Sequence, residues 1–372
     1  MKNPIRLLVV VGAIAASVVA ATPAQASESS PRGALFVQTN DPAGNSIDTY
    51  RRNGDGTLTF LTSYPTGGLG GREVGAGSDP IATQGSLQLV PEANLLLAVN
   101  PGSDTISVFR VDGEHLQLSQ VLASGGPFPA AFAVRDNLVY VLDAGGDGFV
   151  SGYRVEGHKL HRIEGSTRAL GLGNGNPPAF LKSPAQVGFT PDGEHLVVTT
   201  KTNGTVDVFS VRHGGRLSAA PVRNSAGPVP FAWVFDPEGR IVLNFAGSSS
   251  LQTFTVNEDN SITPVSAPVS DTQAALCWVT TAAGYEYTSN TGSGTVSQFR
   301  VNEDGTVVLV NAVAASGIGG ATDSAAGGGA LYVQSGLSGT VHVFRIGAGG
   351  ALTPIQVAGV PHGGSQEGIA VI

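Results

Sequence analysis

Leu95-Leu96-Leu97-Ala98-Val99-Asn100-Pro101-Gly102-Ser103-Asp104-Thr105-Ile106-Ser107-Val108-Phe109-Arg110-Val111-Asp112-Gly113 sets out one structural unit. An apolar run is followed by a small polar loop, an alternating segment ending in an aromatic, and a Gly-containing turn. Period-two alternation of β-branched and aromatic residues reads as strand, and Asp-Gly supplies the positive φ of a tight hairpin.

The unit recurs along the chain. Its apolar strand returns at Leu35-Phe36-Val37, Leu138-Val139-Tyr140, Leu196-Val197-Val198, Ile241-Val242-Leu243, Tyr285-Glu286-Tyr287 and Leu331-Tyr332-Val333. Successive starts are 60, 43, 58, 45, 44 and 46 residues apart. The alternating strand returns at Thr205-Val206-Asp207-Val208-Phe209, Thr295-Val296-Ser297-Gln298-Phe299 and Thr340-Val341-His342-Val343-Phe344. Each unit supplies four antiparallel strands, A to D, and a four-stranded sheet repeated at this period is a propeller blade. The first unit lacks an A strand, and Gly368-Ile369-Ala370-Val371-Ile372 is an A strand with no B strand after it. Joining the two predicts a seven-bladed, all-β propeller whose ring the carboxyl-terminal strand closes, hiding two sheet edges.

Composition agrees. Of 372 residues 52 are Gly and 22 Pro, and only 13% are charged, which disfavours long exposed helices. A net charge of −8 offers no basic surface for nucleic acid. The single cysteine, Cys277, excludes disulfides within the chain and multi-thiolate metal sites. Lys2 and Arg6, the apolar run Leu7 to Ala21 and Ala24-Gln25-Ala26 have the order of a secretory signal peptide. Residues 1–26 are therefore expected to be an export signal and 27–372 one secreted propeller domain, monomeric and free of membrane after cleavage.

Val99 to Phe109 and Ser289-Asn290-Thr291-Gly292-Ser293-Gly294-Thr295-Val296 resemble the YVTN-type repeat, and Thr190-Pro191-Asp192-Gly193 its A-to-B turn. From Ala34 to Ile372 the chain resembles the lactonase family of seven-bladed propellers, which includes 6-phosphogluconolactonases and carboxymuconate-cyclising enzymes. The resemblance implies an Asp-x-Gly-x-Asp loop, present as Asp143-Ala144-Gly145-Gly146-Asp147. It also implies an Arg-His pair, an Asn-Glu pair and a second Arg. These fall on Ala185-Gln186, Thr200-Lys201 and Thr291, so the family's reacting set is substituted.

B–C and D–A loops share one face of such a ring. Residues just past the B strands, among them Asn100, Asp143, Lys201 and Asn290, are expected to rim the central opening. Asn and Asp also cap turns in their own right. Asp143 and His362 are the candidate general bases and Lys201 the candidate oxyanion partner. Asn100, Asp147, Gln186 and Asn290, with Arg72 and Lys182 from the long insertions 64–84 and 164–185, are candidate ligand contacts. Arg72, Glu73 and Asp79 share the first insertion. His158 and His161 have ligand-like spacing but no third partner, so no metal and no cofactor is expected. Two functions compete: an exported enzyme acting on a small lactone or cyclic carboxylate, and a non-catalytic propeller binding a small polar ligand, glycan or protein.

Overall fold

The computed structural model describes Met1 and residues 33–372; apart from Met1, the expected export signal lies outside the described residues. The described residues form seven antiparallel sheets. Blade 1 runs through Leu87–Val90, Leu95–Asn100, Thr105–Asp112 and His115–Ala123, and blade 2 through Pro129–Arg135, Leu138–Asp143, Phe149–Glu156 and Lys159–Arg162. Blade 3 starts at Pro184–Phe189, blade 4 at Pro230–Phe235, blade 5 at Leu276–Ala282 and blade 6 at Ala321–Gly327. Arg168–Ala169 and Val269–Ser270 add a short fifth pairing to blades 2 and 4. Among the described residues there is no α-helix.

Blade 7 is closed as the sequence requires. Ile369–Val371 pairs antiparallel with Gly33–Gln38, setting Leu35 against Val371, Phe36 against Ala370 and Val37 against Ile369. Each A strand touches the next around the full circle, so the seven A strands form the inner ring.

The alternation of side chains sends one set of each strand to the blade before and the other to the blade after. Seven apolar layers result, one between each pair of neighbouring blades. Leu95, Leu97 and Val99 meet Phe132, Val139 and Val141 between blades 1 and 2; Phe36 and Ile47 meet Leu96 and Phe109 between blades 7 and 1. Each large side chain fully buried in such a layer contributes roughly 1.5–3 kcal/mol. Tyrosine hydroxyls stitch the layers together: Tyr50 donates to the Gly359 carbonyl at 2.7 Å, and Tyr287 to that of Gly350 at 2.6 Å. An eighth cluster, Ala82, Ala185, Phe231, Cys277 and Trp278, draws on blades 3, 4 and 5 and on the first long insertion.

Candidate functional site

The insertion between blades 7 and 1 does not stand off the mouth as a surface loop. Asn40 grips it at one end, donating from Nδ2 to the Gly71 carbonyl (2.8 Å) and accepting from the Gly71 amide (3.0 Å). At Gly70 a Cβ would come within 2.1 Å of the Asn40 backbone, so only glycine allows this approach. Val74 then forms a parallel bridge with Ala179 of the second insertion. Farther on, the Thr83 hydroxyl donates to Ala130 (2.9 Å), the Gln84 amide to Ala185 (3.0 Å), and the Trp278 indole to the Thr83 carbonyl (3.1 Å). Contacts with the A strands of blades 2, 3 and 5 lay residues 79–86 across the opening, with Ile81, Ala82 and Thr83 fully buried. The unmet backbone groups of a buried loop account for this lattice of hydrogen bonds.

Ionisable side chains converge on this segment. Lys201, 1% exposed, donates from Nζ to Ser183 Oγ (2.6 Å) and to the Phe180 carbonyl (3.1 Å), and faces the rings of Phe180 and Phe231. Glu73 Oε2 lies 3.6 Å from that ammonium, and neither Glu73 oxygen has a hydrogen-bond partner. Burial pushes the Glu73 carboxyl up to about 8, against the pull of Lys201. Glu367, from the loop that leads into the closing strand, accepts from the Ile81 amide (3.1 Å) and the Thr83 amide (2.9 Å). Asp79 accepts from the Ala82 amide at 2.6 Å. Asp79 and Glu367 interact directly, and burial raises both, Glu367 well above the ordinary carboxylate range. One proton shared between them removes a repulsion that two buried carboxylates could not bear. Asp323, fully desolvated, is raised to about 7, and burial lifts the Cys277 thiol to about 12, so that it is an inert packing group.

The expected trio of Asp143, Lys201 and His362 is not brought together. Lys201 joins Glu73. Asp143 is fully buried with neither carboxylate oxygen hydrogen-bonded; burial raises it to about 8, and the charges acting on it are Asp104 and Arg162. His362 is exposed at a positive φ of 62° and its charge acts on Asp48 of blade 7. Asn100 and Asn290 each bind the hydroxyls five and seven residues on, Thr105 and Ser107 in one case, Thr295 and Ser297 in the other. Their amides therefore hold the B–C turn. Gln186 makes a two-way clasp with the Trp233 backbone, at 2.9 and 2.8 Å, tying blade 3 to blade 4. Asp147 and Lys182 are exposed. Arg72, also exposed, holds the Ala76 (3.2 Å) and Gly77 (2.7 Å) carbonyls and reaches Ser365 Oγ at 3.4 Å.

Sequence reasoning missed Glu367 and Ser183. The signal for Glu367 was available: an acidic residue in the same D–A loop as His362. Among the described residues no group of three His, Cys, Asp or Glu side chains is placed to hold a metal ion.

No family model and no curated protein sequence matches the chain. Solved structures do. A "putative 6-phosphogluconolactonase" from Bacteroides uniformis superimposes with a TM-score of 0.70 at 17% identity, covering 92% of this chain and 99% of its own. A protein from Lactobacillus plantarum gives 0.70 at 19%, with the same coverage. A periplasmic gluconolactonase from Pseudomonas aeruginosa gives 0.67 at 18% identity, again covering 92% of this chain and 99% of its own. The chain thus has the lactonase-like seven-bladed propeller fold.

Proposed function

We propose that this propeller acts on a small lactone, with Lys201, Glu73 and the Asp79–Glu367 pair as the reacting groups. The observation that carries the reading is their convergence: three separate chain segments deliver an ammonium and three carboxyls to one water-poor place at the loop-bearing end of the axis. Groups with strongly raised proton affinity in such a place are suited to acid–base work near neutral pH. In hydrolysis, the ionised member of the carboxyl pair takes a proton from water as the water oxygen bonds to the lactone carbonyl. Lys201 steadies the oxyanion. The ring C–O bond then breaks and Glu73, protonated near neutral pH, gives its proton to the departing oxygen. Residues 74–77 are the outermost part of the insertion beside these groups, with Val74, Gly75 and Gly77 exposed, and are the part a substrate would have to displace.

A second reading rests on the near-complete burial of Lys201 and Glu73: the cluster is a polar lock that pins residues 72–86, and the finished face binds a ligand without turnover. A panel of sugar lactones and muconate-type lactones separates the two. Turnover that Lys201→Ala and Glu73→Gln each reduce at least about a hundredfold supports catalysis. No turnover above the uncatalysed rate on any lactone leaves the binding reading.

A further inference from the structure

On the opposite face, the seam between blades 6 and 7 holds a cavity of about 270 Å³. Its walls are the A–B turn of blade 6, with Gly328 and Gly329, and the C–D turn of blade 7, with Asp55. Two guanidiniums line it, Arg52 and Arg345, with Tyr332 beside Arg52. Arg52 is 8% exposed and spends Nε and one Nη2 hydrogen on the main-chain oxygen of Ile372, the last residue of the sequence, at 3.1 and 2.6 Å. Arg345 spends one Nη2 hydrogen on the Asp55 carbonyl at 3.0 Å. Each guanidinium carries five N–H donors, so beyond these bonds and its Tyr332 contact Arg52 keeps two, and Arg345 keeps four. A Cβ at Gly328 would stand 2.1 Å from Arg52 Nη1, so glycine at this positive-φ position is what lets the guanidinium lie against the turn. The Asp55 carboxylate stands at the rim. Its Oδ1 is held by the Thr57 amide (2.9 Å) and hydroxyl (2.6 Å).

We infer that this seam is a binding site for a small oxyanion, a phosphate or carboxylate group taken between Arg52 and Arg345. Two fork-shaped donors on one concavity match the paired oxygens of such groups, and the geometry is independent of the axial cluster.

Titration calorimetry of the full chain at constant ionic strength tests this, with sodium phosphate in one arm and sodium acetate in the other. Saturable binding is expected in at least one arm, and the stronger arm identifies the group. Arg345→Gln, an exposed position, should weaken it about tenfold or more. Arg300→Gln, exposed on blade 5, should leave it unchanged, and Asp55→Asn should tighten it by removing the carboxylate that faces Arg345. No saturable heat with either anion up to about 10 mM overturns the inference, as does binding that Arg345→Gln leaves at wild-type strength.

Discussion

The Lys201 ammonium stands 3.6 Å from the Glu73 carboxylate, with neither side chain more than 1% exposed, yet the two partners are not equally provided for. Lys201 has a hydroxyl, a carbonyl and two aromatic faces besides Glu73. Glu73 has Lys201 alone: the nearby Ser183 hydroxyl is already donated to the Phe180 carbonyl at 3.0 Å. The cost of burying the pair falls on the carboxyl, which is why its proton affinity rises despite an opposite charge next to it.

That asymmetry makes the two partners differ on removal. Lys201→Met takes the counter-charge from Glu73 and should cost about 3–5 kcal/mol in urea denaturation at pH 9.5, above the value of about 8 at which Glu73 ionises. Glu73→Gln should cost less, because Lys201 keeps its other partners. The double variant should lie closer to Glu73→Gln than to the sum of the two. Additive losses would show that the pair is not energetically coupled.

Asp143 gives a pH prediction with a definite sign. Both its oxygens lack hydrogen bonds, and the neighbouring Ser124 hydroxyl is committed to the Asp104 and Gly126 carbonyls. Its proton affinity is raised from the ordinary 3.8 to about 8, so the folded chain holds a proton that the unfolded chain releases. The stability this contributes is fully present below 3.8 and lost as pH rises through about 8. Asp143→Asn cannot titrate. Between pH 5 and pH 9 the difference in unfolding free energy should therefore shift in favour of the variant by about 2–4 kcal/mol, whatever its offset at pH 5. Parallel pH profiles for the two proteins would contradict the assignment.

How far the sequence carries can be seen residue by residue. Strands, turns and closure were legible because alternation and Gly/Asp turns are local signals, and the incomplete first and last units point at each other. The loop-bearing face was legible too, including the presence of Lys201, Arg72, Glu73 and Asp79 on it. What was not legible was depth and partnership. A Gly-rich insertion reads as an exposed excursion, and only the A strands of blades 2, 3 and 5, distant in sequence, supply the backbone partners that draw residues 79–86 inward. For the same reason Asp143 and Lys201, at matching repeat positions, end in unlike surroundings. Glu367 escaped notice because its role depends on two amides nearly three hundred residues earlier.

Closure itself is open to test. Removing residues 369–372 strips the inner strand from blade 7 and bares the edge of Gly33–Gln38 that faces it, including the Ala34 carbonyl that accepts from the Ile372 amide at 3.0 Å. It also exposes part of the layer that contains Tyr332 and Leu35. The truncated chain should show a lowered thermal midpoint and concentration-dependent association in light scattering, since a bare edge pairs with another chain. A monomer with an unchanged midpoint would mean that the strand adds nothing to the ring.

Asn100 and Asn290 occupy matching positions and make matching donations, but their carbonyl oxygens differ. Asn100 Oδ1 accepts from Asn45 Nδ2 (3.0 Å) and Thr66 Oγ1 (2.7 Å), whereas Asn290 Oδ1 is buried without a partner. Replacing Asn100 by Ala removes four hydrogen bonds and strips two neighbouring donors of a partner. Replacing Asn290 removes two and also deletes an unsatisfied acceptor. Asn100→Ala should thus lose about 2–3 kcal/mol of unfolding free energy and Asn290→Ala about 1 kcal/mol or less. Both losses should be the same with and without any lactone that the protein binds, because Asn290 is spent on its own turn and Asn100 on its own turn, Asn45 and Thr66. A loss at either position that appears only in ligand affinity would return that asparagine to the binding surface.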